Sequence, residues 1–109
     1  MIANLTLFHF TETTAPEQID ALQAALTAMA PRIPELRFYR AAPSLRIRPD
    51  GADFGSLAVV DDAAGIDAYL DHPLHQRIAR ELAAPIVASR HAVQFEIDEA
   101  GLARLRTAP

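Results

Sequence analysis

Polar and apolar residues alternate at the start of the chain, with the two-residue period of a half-buried β-strand. Within residues 2–10, IANLTLFHF, one face is aliphatic and centred on Leu5 and Leu7. The other face mixes polar and aromatic side chains, such as Thr6 and Phe8. This alternation predicts a first strand with two faces of different character.

A stripe of apolar residues at helical spacing follows this strand. The stripe consists of Ile19, Leu22, Leu26 and Met29. Upstream, Thr14 is placed to cap a helix, Pro16 suits its first turn, and Glu17 completes a capping box. The spacing therefore predicts an amphipathic helix, which Pro31 ends.

The rest of the chain alternates between strand and helix patterns. Strands are predicted at residues 36–42, 54–60 and 91–97, helices at 61–70 and from Pro73 onwards, and a terminal helical turn at 98–106. Proline disfavours helical geometry in the residue before it, so His72 is expected to lie between the two helices.

The resulting order is β-α-β-β-α-β, with the second helix broken in two. This order predicts an α+β, ferredoxin-like split βαβ fold, with a four-stranded antiparallel sheet and both helices on one face. We expect the aliphatic strand faces to pack under the helices, leaving the face with Phe8 and Phe10 uncovered. An uncovered apolar face predicts a partner, and a second copy of the chain is the simplest one.

Composition narrows the class of protein. The chain has 109 residues, a net charge of −4, ten basic residues that are all arginine, and no cysteine. These numbers predict one domain (1–98) with a short C-terminal tail (99–109), and exclude disulfides and cysteine nucleophiles. Negative charge, with no long apolar run or signal-like start, predicts a cytoplasmic protein without nucleic-acid or membrane partners. Abundant alanine and arginine indicate a GC-rich bacterial source.

The segment Tyr69-Leu70-Asp71-His72-Pro73-Leu74-His75 carries a family resemblance. With the strands LTLFHF, FGSLAVV and HAVQFEI, it resembles the Y-x-x-H-P-x-H motif of the Dabb family, the stress-responsive dimeric α/β-barrel proteins. The resemblance spans residues 2–97 and implies a dimeric α/β barrel of ferredoxin-like subunits. Where members often carry a histidine in the first strand, this sequence has Asn4.

The resemblance implies three functional hypotheses. The leading one is a homodimer that binds a small hydrophobic or aromatic molecule, in stress response or secondary metabolism. The second is a cofactor-free cyclase, isomerase or lyase like the family's plant polyketide cyclases, with His75 as general base and Tyr69 as hydrogen-bond donor. The third is a structural dimer without a ligand, in which His72 caps a helix and Tyr69 packs.

Candidate ligand-binding residues lie on the polar strand faces and at the helix break. They are Asn4, Thr6, Phe8, Ser56 and His72. We expect the strand residues among them to face inward only when the dimer forms. No cofactor and no metal are predicted, because His72 and His75 are three positions apart rather than the four typical of a helical zinc pair.

Overall fold

The computed structural model describes residues 1–107 of the chain. Its strands are β1 (Ile2–Phe10), β2 (Phe38–Pro43), β3 (Phe54–Val60) and β4 (Val87–Glu96). Its α-helices are α1 (Pro16–Met29), α2 (Ala63–Leu70), α3 (Pro73–Ile78) and α4 (Glu99–Thr107). A 3₁₀ turn extends α1, and a π-helical turn at Ala79–Ala83 extends α3. Within this part of the chain, no helix is long and apolar enough to cross a bilayer.

The four strands form one antiparallel sheet in the order β2-β3-β1-β4. The central strand β1 pairs with both β3 and β4, so that Thr6 lies opposite Ser56 on one side and Ala92 on the other. This order, with helices crossing between the strands, is the ferredoxin-like split βαβ arrangement. The fold class predicted from the sequence is therefore confirmed.

The helices cover the polar and aromatic face of the sheet, not the aliphatic one. Asn4 and Ser56 are buried within the single chain, at 2% and 4% exposure. Phe8 meets Phe54 edge to face, with ring centroids 5.9 Å apart, and both pack into the core beneath the helices. The expectation that this face depends on a dimer for cover was wrong. Alternate side chains of a strand point to opposite faces of the sheet. An error about which face of one strand the helices cover therefore reverses the predicted position of every residue on that strand.

The aliphatic face is the open one. Leu7, Val93 and Phe95 retain 41%, 51% and 48% of their surface exposure. The register places Val93 opposite Leu5 and Phe95 opposite Ala3, so these side chains form one patch across β1 and β4. The sheet thus has an uncovered apolar face, as expected, although it consists of other residues than those predicted.

Helix α4 covers the part of that open face that is nearest β2 and β3. Leu102 is buried against Ala3 and Val59. Residues 99–107 of the predicted tail therefore form a helix that packs on the sheet, because Leu102 needs apolar cover that the sheet provides. The last two residues of the predicted tail, 108–109, lie outside the described residues, and a domain boundary at residue 98 stays a prediction.

The start of α1 differs from the predicted capping box. The helix is capped at Ala15, whose backbone N–H donates to the side-chain oxygen of Gln18 at 2.8 Å. Thr14 lies one position too early and pairs instead with the hydroxyl of Thr11 at 2.8 Å. Of the two hydrogen bonds of a capping box, the one from the N-cap backbone to the side chain three residues later is present. It lies one residue later than the sequence pattern indicated.

Candidate functional site

The break between α2 and α3 is built by the His72-Pro73 pair. The Nδ1 atom of His72 accepts a hydrogen bond from the backbone N–H of Leu74 at 3.1 Å, which caps α3. Gln76 closes the break from the other side by donating to the carbonyl of Leu70 at 2.7 Å. His72, predicted as a ligand-binding residue, thus has one ring nitrogen engaged in holding the helix.

This break brings Tyr69 and His75 into contact. Their ring centroids are 4.8 Å apart and the ring planes meet at 68°, an edge-on arrangement. Tyr69 is 2% exposed and lies in the core between the helices and the sheet. The two residues that the sequence predicted as the catalytic pair are therefore in contact, with Tyr69 buried and His75 partly exposed.

Tyr39 on β2 extends this pair into a row of three rings. Its ring lies 5.8 Å from that of Tyr69, again close to edge-on. Sequence reasoning missed Tyr39. The available signal was its position two residues before Ala41, which pairs with Ser56 across the sheet and so places Tyr39 on the polar face.

Polar residues of the sheet lie beneath the rings. The amide of Asn4 donates to the hydroxyl of Thr6 at 3.4 Å, and the amide of Gln94 donates to the Asn4 oxygen at 2.5 Å. The hydroxyl of Ser56 lies close enough to both tyrosines to affect their pKa values. Three of the predicted lining residues thus belong to the buried layer under Tyr39 and Tyr69.

Two buried polar atoms of this cluster have no hydrogen-bond partner within the described part of the chain. They are the hydroxyl oxygen of Tyr39 and Nδ1 of His75. A buried polar group without a partner costs about 1–3 kcal/mol, so native proteins seldom keep one without a reason. The cluster therefore has a free hydroxyl and a free imidazole nitrogen to offer to a polar group.

Burial sets the protonation states of the cluster. It raises the pKa of Tyr39, which the nearby Tyr69 raises further, and it raises the pKa of Tyr69 itself. Burial lowers the pKa of His75; interaction with the backbone of Leu70 partly opposes this effect, and the positive charges of Arg90 and His72 add to it. Near neutral pH the tyrosines are hydrogen-bond donors and His75 is a neutral imidazole able to accept a proton.

A groove lies beside the α3 segment that carries His75. It has a volume of about 610 Å³ and runs between the α3 side and β4, with Phe8 in its wall. Neither Tyr69 nor His75 lines it or the smaller pockets described among residues 1–107. Over the same residues, no group of three or more histidine and acidic side chains is arranged to hold a metal ion.

Comparison with known proteins places this architecture in a family. The family model described as the stress responsive A/B barrel domain, Dabb, matches residues 2–97. An uncharacterized protein of Streptomyces coelicolor is 33% identical over 93 residues, which cover 81% of this chain and 96% of that protein.

Solved structures agree with this assignment. A dimeric ferredoxin-like protein of unknown function from Thermobifida fusca is 34% identical, with a TM-score of 0.82, over 88% of this chain and 90% of that one. A hydroxynitrile lyase from Passiflora edulis shares the fold at 17% identity and a TM-score of 0.74, over 90% and 94% of the two chains. With the Y-x-x-H-P-x-H segment at the helix break and the matched fold around it, the chain belongs to the Dabb family.

Proposed function

We propose that the protein is a homodimer that binds a small aromatic or otherwise largely apolar molecule carrying a carbonyl or hydroxyl group. The unpartnered Tyr39 hydroxyl and His75 Nδ1 are the observation that supports this most directly. A hydroxyl or carbonyl of a ligand would meet the donor of Tyr39 or the acceptor of His75. The surrounding rings of Tyr69 and Phe8 favour an apolar ligand body. A role in stress response or secondary metabolism remains part of this proposal.

The homodimer is supported by the open sheet face. Leu7, Val93 and Phe95 form an exposed apolar patch on the side that the helices leave bare. Burying such a patch against a second copy removes apolar surface from water on both sides of a twofold axis. The related protein from Thermobifida fusca is described as dimeric. The ligand site proposed here lies on the other side of the sheet, within each subunit.

A cofactor-free enzyme is the second candidate. His75 is a neutral imidazole in edge-on contact with Tyr69, which stays protonated. His75 would take a proton from a carbon next to a carbonyl, and the Tyr69 hydroxyl would donate to the developing enolate oxygen. The hydroxynitrile lyase of the same fold is compatible with this candidate, but a shared fold alone does not establish an activity.

Binding is tested with 2-naphthol and naphthalene, which differ only in the polar group. We expect amide resonances around Tyr39, Tyr69 and His75 to shift on titration of isotope-labelled protein, with 2-naphthol bound more tightly. Tyr39→Phe should reduce that preference by about fivefold to tenfold, the share of one hydrogen bond. His91→Ala, on the exposed strand β4, is the control and should keep the preference for 2-naphthol over naphthalene unchanged. A third hypothesis, a structural dimer without a ligand, predicts no shift in this cluster.

The enzyme candidate is tested by proton exchange. In D₂O, exchange of the acidic hydrogens of 2-tetralone for deuterium requires removal of a proton from carbon and its return from solvent. Mass spectrometry should show faster exchange with the wild-type protein than in buffer. His75→Ala should abolish the acceleration. Equal exchange by wild type and His75→Ala would eliminate the enzyme hypothesis and leave the binding hypothesis standing.

A further inference from the structure

The groove beside α3 combines an apolar floor with positive charge. Its apolar lining includes Phe8, Ala83 and Val87, and its charged residues are Arg80 and Arg90. A volume of about 610 Å³ lies within the range typical of small-molecule sites. The lining contains no acidic side chain.

Neither groove arginine is neutralised by a carboxylate, in contrast to the arginines that form ion pairs elsewhere in the chain. Arg37 pairs with Asp61, and Arg77 pairs with Glu81 at 3.2 Å. Across residues 1–107, neither Arg80 nor Arg90 forms an ion pair. Two guanidinium groups without a carboxylate partner thus line one groove, in a chain with a net charge of −4. Guanidinium groups match the geometry of carboxylates and bind them with paired hydrogen bonds.

The strand register keeps Arg90 away from the open sheet face. Arg90 lies opposite Phe8 across the β1–β4 ladder, and paired residues point to the same side of a sheet. Phe8 packs into the core on the helix-covered side, so Arg90 also belongs to that side. Arg80 comes from the π-helical turn, on the opposite wall of the groove. A dimer formed through Leu7 and its neighbours leaves both arginines accessible.

The groove also lies next to the segment that carries His75. Gln76, the residue after His75, lines the groove together with Arg90, and the positive charge of Arg90 contributes to the lowered pKa of His75. Phe8 provides a second connection, because it lines the groove and packs into the core that contains Tyr69. A molecule held by Arg90 therefore lies next to the α3 segment that carries His75.

We propose that this groove binds the carboxylate of a small aromatic or aliphatic acid, with Arg90 and Arg80 holding the anion and Phe8 and Val87 contacting the hydrocarbon. This inference rests on the proposed function, since it assigns the bound molecule to the class of organic acids. The carboxylate lies at the mouth of the groove, and the rest of the molecule extends towards His75.

The test compares 2-naphthoate with the neutral 2-naphthol in binding titrations followed by NMR. We expect 2-naphthoate to bind about tenfold more tightly, the value of a charge-assisted hydrogen bond to a guanidinium. Arg90→Gln should weaken 2-naphthoate about tenfold and change 2-naphthol less than about twofold, because the guanidinium is lost while the apolar lining of the groove stays. Arg32→Gln, an exposed arginine outside the groove, is the matched control and should change neither ligand.

A second measurement follows the His75 ring by NMR. Because Arg90 lowers the pKa of His75, Arg90→Gln or saturation with 2-naphthoate should raise that pKa. Equal affinities for the two probes, loss of both in Arg90→Gln, or no saturable binding of 2-naphthoate would overturn the inference. If 2-naphthol still shifts Tyr39 and His75 in that case, the proposed function stands without it. A third outcome separates the two proposals in the other direction. If 2-naphthoate binds in an Arg90-dependent way but 2-naphthol does not shift Tyr39, Tyr69 or His75, the carboxylate site in the groove is supported and the proposed ligand site at these three residues is rejected.

Discussion

The ring of His75 meets the ring of Tyr69 edge-on, with 4.8 Å between centroids, although the two residues lie on different helices. On one continuous helix, residues six positions apart are separated by about 120° around the axis and by more than one turn along it, and so do not face each other. The break at His72 and Pro73 changes the helix direction and removes this separation. The proline is therefore as necessary to the candidate site as the two rings.

We predict that His72 contributes to stability as a helix cap. His72→Ala should lower the free energy of unfolding by about 0.5–2 kcal/mol, because the backbone N–H of Leu74 loses its acceptor. Urea denaturation measures this change. His72→Asn restores a side-chain oxygen at the capping position and should recover most of the loss. A larger loss of 2-naphthol affinity than of stability in both variants would instead indicate that His72 contacts the ligand.

The pH dependence of stability should report the burial of His75. Its pKa is lowered in the folded protein, so that below about pH 6.5 the unfolded chain takes up a proton before the folded chain does. The stability contributed by neutral His75 is thus complete above that pH and is lost as the pH falls towards the folded pKa. His75→Gln removes this titration, so its free energy of unfolding should fall less steeply over the same interval. Identical slopes would show that His75 titrates as it does in the unfolded chain.

The sequence predicted the elements of the fold better than their orientation. Strand β3 was predicted at its observed bounds, 54–60, because turn residues and apolar runs are local signals. The covered face was misassigned because alternation shows that a strand has two faces without showing which one the helices occupy. Asn4 and Thr6 are tolerated under the helices because each finds a hydrogen-bond partner there. Such pairing depends on neighbours that are distant in sequence.

The candidate site was predictable only in part. Tyr69 and His75 stood out because the intervening proline makes their segment unusual. Tyr39 did not, because its role depends on packing against Tyr69 across the gap between β2 and α2. Arg80 and Arg90 were likewise indistinguishable from other arginines until the fold placed them in one groove. Which of two residues distant in sequence lie next to each other depends on the tertiary structure. The alternation of polar and apolar residues in one sequence does not show it.

The open sheet face leads to a prediction about assembly. Sedimentation should show the wild-type protein as a dimer, and Phe95→Glu should raise the dimer dissociation constant at least about thirtyfold, because a charge would be buried in the interface. Ala92→Glu lies on the same strand but pairs with Thr6, on the helix side, and is the matched control. Monomeric wild-type protein at micromolar concentration would contradict the homodimer. The intrasubunit cluster would remain, since its three rings contact one another within one chain.

The packing of α2 on β3 gives the last prediction. A Cβ atom on Gly65 would lie 2.9 Å from Cβ of Val60, and Val60 is fully buried in the sheet. Gly65→Ala should therefore destabilise the protein by about 1–3 kcal/mol through overpacking, despite the better helix propensity of alanine. Gly101→Ala is the control on α4, where the nearest atom to the added Cβ is Oδ1 of Asp98 at 3.3 Å rather than a buried side chain of the sheet at 2.9 Å. It should change stability by less than about 1 kcal/mol. Since α2 carries Tyr69, Gly65→Ala should also weaken binding of 2-naphthol, whereas Gly101→Ala should not. Equal stability of the two variants would contradict the prediction, because it would show that α2 can move away from the sheet without loss of stability.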